Sequence, residues 1–138
     1  MNTPFVLSLA SLVILGIVTF FSKVAGANQY YGPSYVFFQG VGLCVVAIVI
    51  HIVQRHPLDL SPKMTGVSIL GGCLAALGIS ALVLAFSMGG EGSILLPISS
   101  LGILVAVPLS FIFYNEPITA TKIVGFGFGI TSIIFLTR

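Results

Sequence analysis

The chain has 138 residues, of which 57% are hydrophobic and 6% charged, with a formal net charge of +2. Soluble domains carry roughly 25% charged residues, so this composition cannot cover a water-facing surface and the bilayer has to be the solvent. A spanning helix needs about 20 mostly apolar residues, which predicts about five spans joined by short turns and leaves no length for a soluble catalytic domain.

The first helix is expected over residues 4–24, with Thr3 placed to cap it and Pro4 at the first helical position, where a missing N–H costs nothing. Ala25-Gly26-Ala27 looks like a cleavage site. However, no Lys or Arg precedes the segment, and its apolar run exceeds the roughly 7–15 residues of a signal peptide, so it is read as an anchored span. Asn28, Gly32 and Pro33 make a polar turn into a second helix over 34–54, which stops before Pro57 because the residue preceding a proline avoids helical geometry. Ser61-Pro62 repeats the cap-then-proline start, opening a third helix over 62–87 that Gly89-Gly90 ends. The fourth is expected over 93–114, and Asn115-Glu116-Pro117 turns tightly into a fifth over 117–137. The fold class is therefore all-α: a polytopic membrane protein with a five-helix bundle in one domain.

Charge and aromatic placement agree with these bounds. Lys23, Arg55, Asp59, Lys63, Glu91, Glu116, Lys122 and Arg138 all fall at predicted helix ends or in loops. Tyr30, Tyr31, Tyr35 and Tyr114 lie near the ends too, where amphipathic rings prefer the headgroup region. Five spans put Arg55, Lys63 and Lys122 on one face and Lys23 and Arg138 on the other. That near-balance leans only slightly to a cytoplasmic N-terminus and leaves both a single and a dual topology open. Ser68, Gly72, Ala76 and Ser80 form a small-residue stripe on the third helix, and Gly125 and Gly129 a GxxxG pair on the fifth. Small residues let helix backbones approach closely in lipid. The first stripe reads as packing within the chain; the second reads equally well as a contact between subunits.

No polybasic run points to nucleic acid, and no nucleophile–base pair, metal cluster, phosphate loop or paired buried carboxylate is visible, so neither an enzyme nor a cofactor or metal is expected. Cys44 and Cys73 sit inside apolar segments and read as small packing residues. Glu116 reads as a helix cap favoured by the dipole ahead of substrate or proton handling, Glu91 as a solvated turn residue, and His51 and His56 as interfacial. Lys23 either snorkels to the interface or supplies a counter-charge to a cavity. Pro97 and Pro108 each remove a backbone hydrogen bond, leaving two readings of the fourth helix: a bent packing element or a broken helix lining a substrate path. Gln39 in the second helix needs a partner in lipid, either another helix or a substrate. With Ser80, Ser99 and Ser100 it could form a mildly polar, uncharged cavity. The lack of an acid at mid-membrane argues against a carboxylate that alternates between a proton and a cationic drug.

The run Ala81-Leu82-Val83-Leu84-Ala85-Phe86-Ser87, then Leu96-Pro97-Ile98-Ser99-Ser100-Leu101, then Asn115-Glu116-Pro117-Ile118-Thr119 and Gly125, resembles the EamA repeat of the drug/metabolite transporter superfamily. Phe20-Phe21-Ser22-Lys23 resembles, more loosely, the end of that family's first helix. Most such proteins have ten helices formed by two inverted repeats, and this chain has one repeat. The resemblance therefore implies a half-size transporter in the cell membrane, a prokaryotic inner membrane in the first instance. Its inverted partner would be a second copy in an antiparallel homodimer or a paired paralogue. It would move a small metabolite or amphiphile by alternating access past Lys23, Gln39, Ser80, Pro97, Ser99 and Ser100. The turn into the fifth helix is also similar to that of small multidrug resistance proteins and of aminoarabinose–undecaprenyl phosphate flippase subunits. Those have four helices, and the first helix here lacks their membrane-embedded glutamate, which speaks against proton-coupled efflux of cations. A non-transporting accessory or assembly subunit, or a lipid-linked-sugar flippase subunit, is the competing reading.

Overall fold

The computed structural model describes residues 3–55, 57–58, 60–114 and 119–136. Among them the regular structure is entirely helical: α1 (Thr3–Ala27), α2 (Gly32–Gln54), α3 (Pro62–Ser87), α4 (Gly92–Ser100), α5 (Ile103–Tyr114) and α6 (Ala120–Leu136). Four stretches are long and apolar enough to cross a membrane: α1, α2, α3 and the combined Gly92–Tyr114. The chain divides into two compact units, Met1–Gly89 and Gly90–Arg138.

In the first unit the helix ends follow from local chemistry. Prolines stand in the first turns of α2 and α3, where their fixed φ suits a helix and no intrahelical N–H is lost. Ser61 holds the N-cap position of α3 without a side-chain cap bond. The end of α1 closes as a Schellman motif: Tyr30 N–H donates to Ala25 O at 3.0 Å and Gln29 N–H to Gly26 O at 2.9 Å. Gln29 takes the left-handed position at φ 56°, normally a glycine's place. Its side chain is held there, with Nε2 donating to Ser87 O at 2.9 Å. One residue thus caps α1 through its backbone and supplies a donor to the last carbonyl of α3. Gly89, at φ 89°, ends α3 with the conformation that Gln29 adopts under constraint.

These contacts also give the direction of the helices. The late part of α1 meets the late part of α3, so the two run parallel, whereas the first turn of α2 meets Ser80 and α2 runs against them. α3 packs on both of the others. Burial is confined to this end: Ser22 is 2% exposed, Val83 0% and Phe86 4%, and Gly26 is buried with them. Residues 3–17 of α1, 41–50 of α2 and 62–75 of α3 are exposed throughout. Contiguous apolar surface of this extent is untenable in water and ordinary in lipid.

Gly26 sets the closest approach. A Cβ there would collide with Phe86 Cβ and stand 2.7 Å from Val83 O, so no residue with a side chain fits without parting α1 from α3. The small-residue stripe on α3 packs along only part of its length. Ala76 and Ser80 are half-buried, whereas Ser68 and Gly72 are exposed. Cys44 and Cys73 are free thiols on exposed faces, which corrects their reading as packing residues.

In the second unit α6 packs on α4 and α5. A Cβ on Gly129 would meet Leu104 Cδ2 at 3.3 Å and Leu101 Cδ2 at 3.5 Å, while Gly125 has open space. The GxxxG pair is therefore divided: one glycine is used within the chain and the other is uncovered. The Asn115–Glu116–Pro117 turn, with the cap assigned to Glu116, lies outside the described residues, as do His56, Asp59 and Arg138.

Gly26→Ala and Gly16→Ala are expected to shift thermal unfolding in detergent in opposite directions. The first overpacks a closed contact and costs about 1–3 kcal/mol. The second meets nothing within 4 Å and gains up to about 1 kcal/mol of helix propensity.

Candidate functional site

The expected fourth helix is not continuous. α4 stops at Ser100 and α5 starts at Ile103, so the interruption falls at Leu101-Gly102 and not at Pro97 or Pro108, which both lie inside helical segments. A distinct set of hydrogen bonds accompanies the break. Ser99 Oγ donates to Leu96 O at 2.8 Å and Ser100 Oγ to Pro97 O at 2.7 Å. These are the carbonyls that the N–H groups of Ser100 and Leu101 would use in a regular helix. Leu101 N–H turns instead to Ile98 O at 3.1 Å, and Leu104 N–H to Leu101 O at 2.8 Å, which is the tighter i→i−3 pattern. Serine hydroxyls bonding back to the chain are known to bend helices, and Gly102 offers little resistance. The prolines contribute on either side, because neither can donate to the carbonyl four residues earlier.

In the first unit the polar groups cluster at the buried end. Gln39 lies on the same face of α2 as Tyr35, one turn earlier. Tyr35 is half-buried, and Ser22 Oγ donates to its hydroxyl at 3.5 Å, a long contact between α1 and α2. Gln39 Oε1 is buried and has no hydrogen-bond partner. It stands in the wall of a groove of about 460 Å³ between α1 and α2, together with Val18, Phe21, Val24, Tyr35 and Phe38.

Ser80 is placed elsewhere, against the first turn of α2. It lines a pocket of about 450 Å³ with Gln29, Tyr30, Tyr31 and Pro33, and a second of about 590 Å³ with Val36, Phe37 and Cys73. Gln39 and Ser80 therefore belong to different pockets. Lys23 is half-buried on α1, next to Ser22. Pro97, Ser99 and Ser100 lie in the second unit, with both hydroxyls engaged as described. Among the described residues no three His, Cys, Asp or Glu side chains come together.

Sequence reasoning missed Ser22, Gly26 and Gln29. Gln29 and Ser87 are far apart in the chain, so their bond had no local signal. Ser22 and Tyr35 also needed the α1–α2 packing to be known. The i, i+4 spacing of Tyr35 and Gln39 was present and could have been used.

The described residues form an all-helical chain with four stretches long and apolar enough to cross a membrane. In comparisons with known proteins, the chain is 29% identical over 139 residues to an uncharacterized protein of Methanocaldococcus jannaschii, covering 99% of this chain and 98% of that one. No protein-family model matches the chain, and no solved structure does.

Two expectations follow. Gln39→Leu keeps the side-chain volume and removes an orphaned acceptor, so thermal unfolding in detergent should rise by the equivalent of about 1–3 kcal/mol. A fall would mean that Gln39 is already paired. Replacing Ser99 and Ser100 together by Ala frees Leu96 O and Pro97 O for backbone donors; hydrogen exchange at Leu101 should then slow as the break narrows.

Proposed function

We propose that this chain is a half-size transporter of the drug/metabolite type, moving a small metabolite or amphiphile by alternating access as a dimer. The observation that carries the reading is the interruption at Leu101-Gly102. It begins at the last residue of the Leu96–Leu101 run, one of those on which the EamA resemblance rests. Discontinuous spans are characteristic of carrier sites, because unwound backbone is tolerated at membrane depth only where protein or a wet cavity covers it.

On this reading α6 is the fifth span. Its 17 residues measure about 25 Å at 1.5 Å per residue, a little short of a hydrocarbon core of about 30 Å. The missing inverted repeat comes from a second copy or a paired paralogue, in a prokaryotic inner membrane. The alignment with the archaeal relative spans 98% of that protein, so the two are of about the same length. Lys23, Gln39, Ser80, Pro97, Ser99 and Ser100 are assigned to the substrate path. Their chemistry is that of a binding surface with no catalytic step.

Reconstitution of the purified chain alone into liposomes tests this. Uptake of members of a panel of radiolabelled small metabolites and neutral amphiphiles, lowered at least several-fold by the Ser99→Ala/Ser100→Ala variant, is the expected result. Inertness towards the panel, combined with tight co-purification of a larger membrane partner, would make the chain an accessory subunit.

A further inference from the structure

We infer that Gln29 is a strap: its side chain ties the turn between α1 and α2 to the end of α3 and holds α1 and α3 in one register. The inference concerns the first unit alone and does not depend on transport.

Chain connectivity creates the need. α1 and α2 are joined at the packed end by residues 28–31, whereas α2 and α3 are joined at the other end, by residues 55–61. At the packed end α3 is therefore held to its neighbours by non-covalent contacts, and the first unit ends just beyond it, at Gly89. The close contact at Gly26 sets Phe86 Cβ and Val83 O against α1. Such a contact fixes a separation but has little direction, and lipid supplies no hydrophobic force between helices to oppose sliding. A hydrogen bond is directional. The one from Gln29 Nε2 to Ser87 O, at 2.9 Å, lies about a turn beyond Gly26 and fixes the register that the steric contact leaves free.

The residue at this position carries the same message. At φ 56° a glycine is the natural occupant, and the end of α3 has one, Gly89 at φ 89°. A glutamine is disfavoured in that conformation, and here it is found with its amide engaged on α3. The partner is suited to it, because the last carbonyls of a helix lack intrahelical donors. Gln29 is exposed and Ser87 half-buried. The strap thus lies at the rim of the contact and can open without parting the buried Val83 and Phe86.

Spin labels test this in the full-length chain in liposomes, diluted with unlabelled chain so that only pairs within one molecule are read. One label is placed on Leu12→Cys in α1 and the other on native Cys73 in α3, with Cys44→Ala; Leu12 and Cys73 are exposed. Gln29→Glu keeps the side-chain length, but its carboxylate only accepts hydrogen bonds and donates again once protonated. At pH 7 its distance distribution should be about twice as wide as that with Gln29, and it should narrow to the Gln29 width at a pH of about 3, below the ordinary glutamate value. Recovery within one sample also shows that the variant is folded. With Gln29 in place, and every native titratable group present, the width should be the same at both pH values. No carboxylate, histidine or lysine lines the pocket that Gln29 and Ser87 share, so the titration there is confined to the introduced carboxyl. Gln29→Gly adopts the left-handed turn freely and lacks the donor, so it should be wide at both pH values. A Gln29→Gly distribution as narrow as that of Gln29, or a Gln29→Glu distribution insensitive to pH, overturns the strap and leaves Gln29 as a turn residue. Labels on native Cys44 and Cys73 read α2 against α3 and should be unmoved by Gln29→Glu. Equal broadening of that pair would mean general loosening and would also overturn a tie specific to α1 and α3.

Discussion

A backbone carbonyl or amide left without a partner in hydrocarbon costs several kcal/mol, and this requirement organises the whole chain. It is why the regular structure is helical, and why the places where helices end or break are the informative ones. At the end of α1 the free groups are closed by a left-handed turn at Gln29. At the end of α3 the Gln29 side chain reaches across to Ser87 O. At the interruption of the fourth span, Ser99 and Ser100 hydroxyls occupy two carbonyls and the neighbouring amides shift to closer acceptors. Each departure from a continuous helix carries its own replacement bonds. Gln39 Oε1 stands out against this background because it has none.

The second constraint is steric. Lipid provides no hydrophobic force that draws apolar helices together, so approach depends on small residues and packing. In the first unit the decisive small residue is Gly26, where α1 and α3 come closest. Around it gather the buried groups, Ser22, Val83 and Phe86. The same end holds Tyr35, Gln39, Ser80 and the pockets that they line. Packing and polar chemistry are thus concentrated together.

Much of the architecture was legible in the sequence because it depends on local signals. Apolar runs bounded by Pro33, Pro62 and Gly89 mark α1, α2 and α3 closely. The fourth span was legible as a length and not as a shape. Two prolines pointed to kinks at Pro97 and Pro108, but the break lies between them, where two adjacent serines compete with the backbone for acceptors. The candidate site was legible residue by residue and not as a grouping. Gln39 was identifiable because an amide in an apolar helix needs a partner. Its separation from Ser80 depends on how α2 faces α1 and α3, which no local pattern encodes. The α1–α3 contact at Gly26 was hidden for the same reason: a glycine between two alanines looks like many others until its neighbour is known.

The confinement of burial to one end of the first unit has a mechanical consequence. Helices joined at one end and free of one another along the rest behave as levers with a common fulcrum. With α2 about 35 Å long at 1.5 Å per residue, tilting it by some 10° about the Gly32–Ser80 contact would carry its far end roughly 6 Å while disturbing few packed atoms. The fulcrum region, around Ser22, Gly26 and Phe86, is then the part that has to stay rigid. The uncovered arms, free of interlocking side chains, set the amplitude.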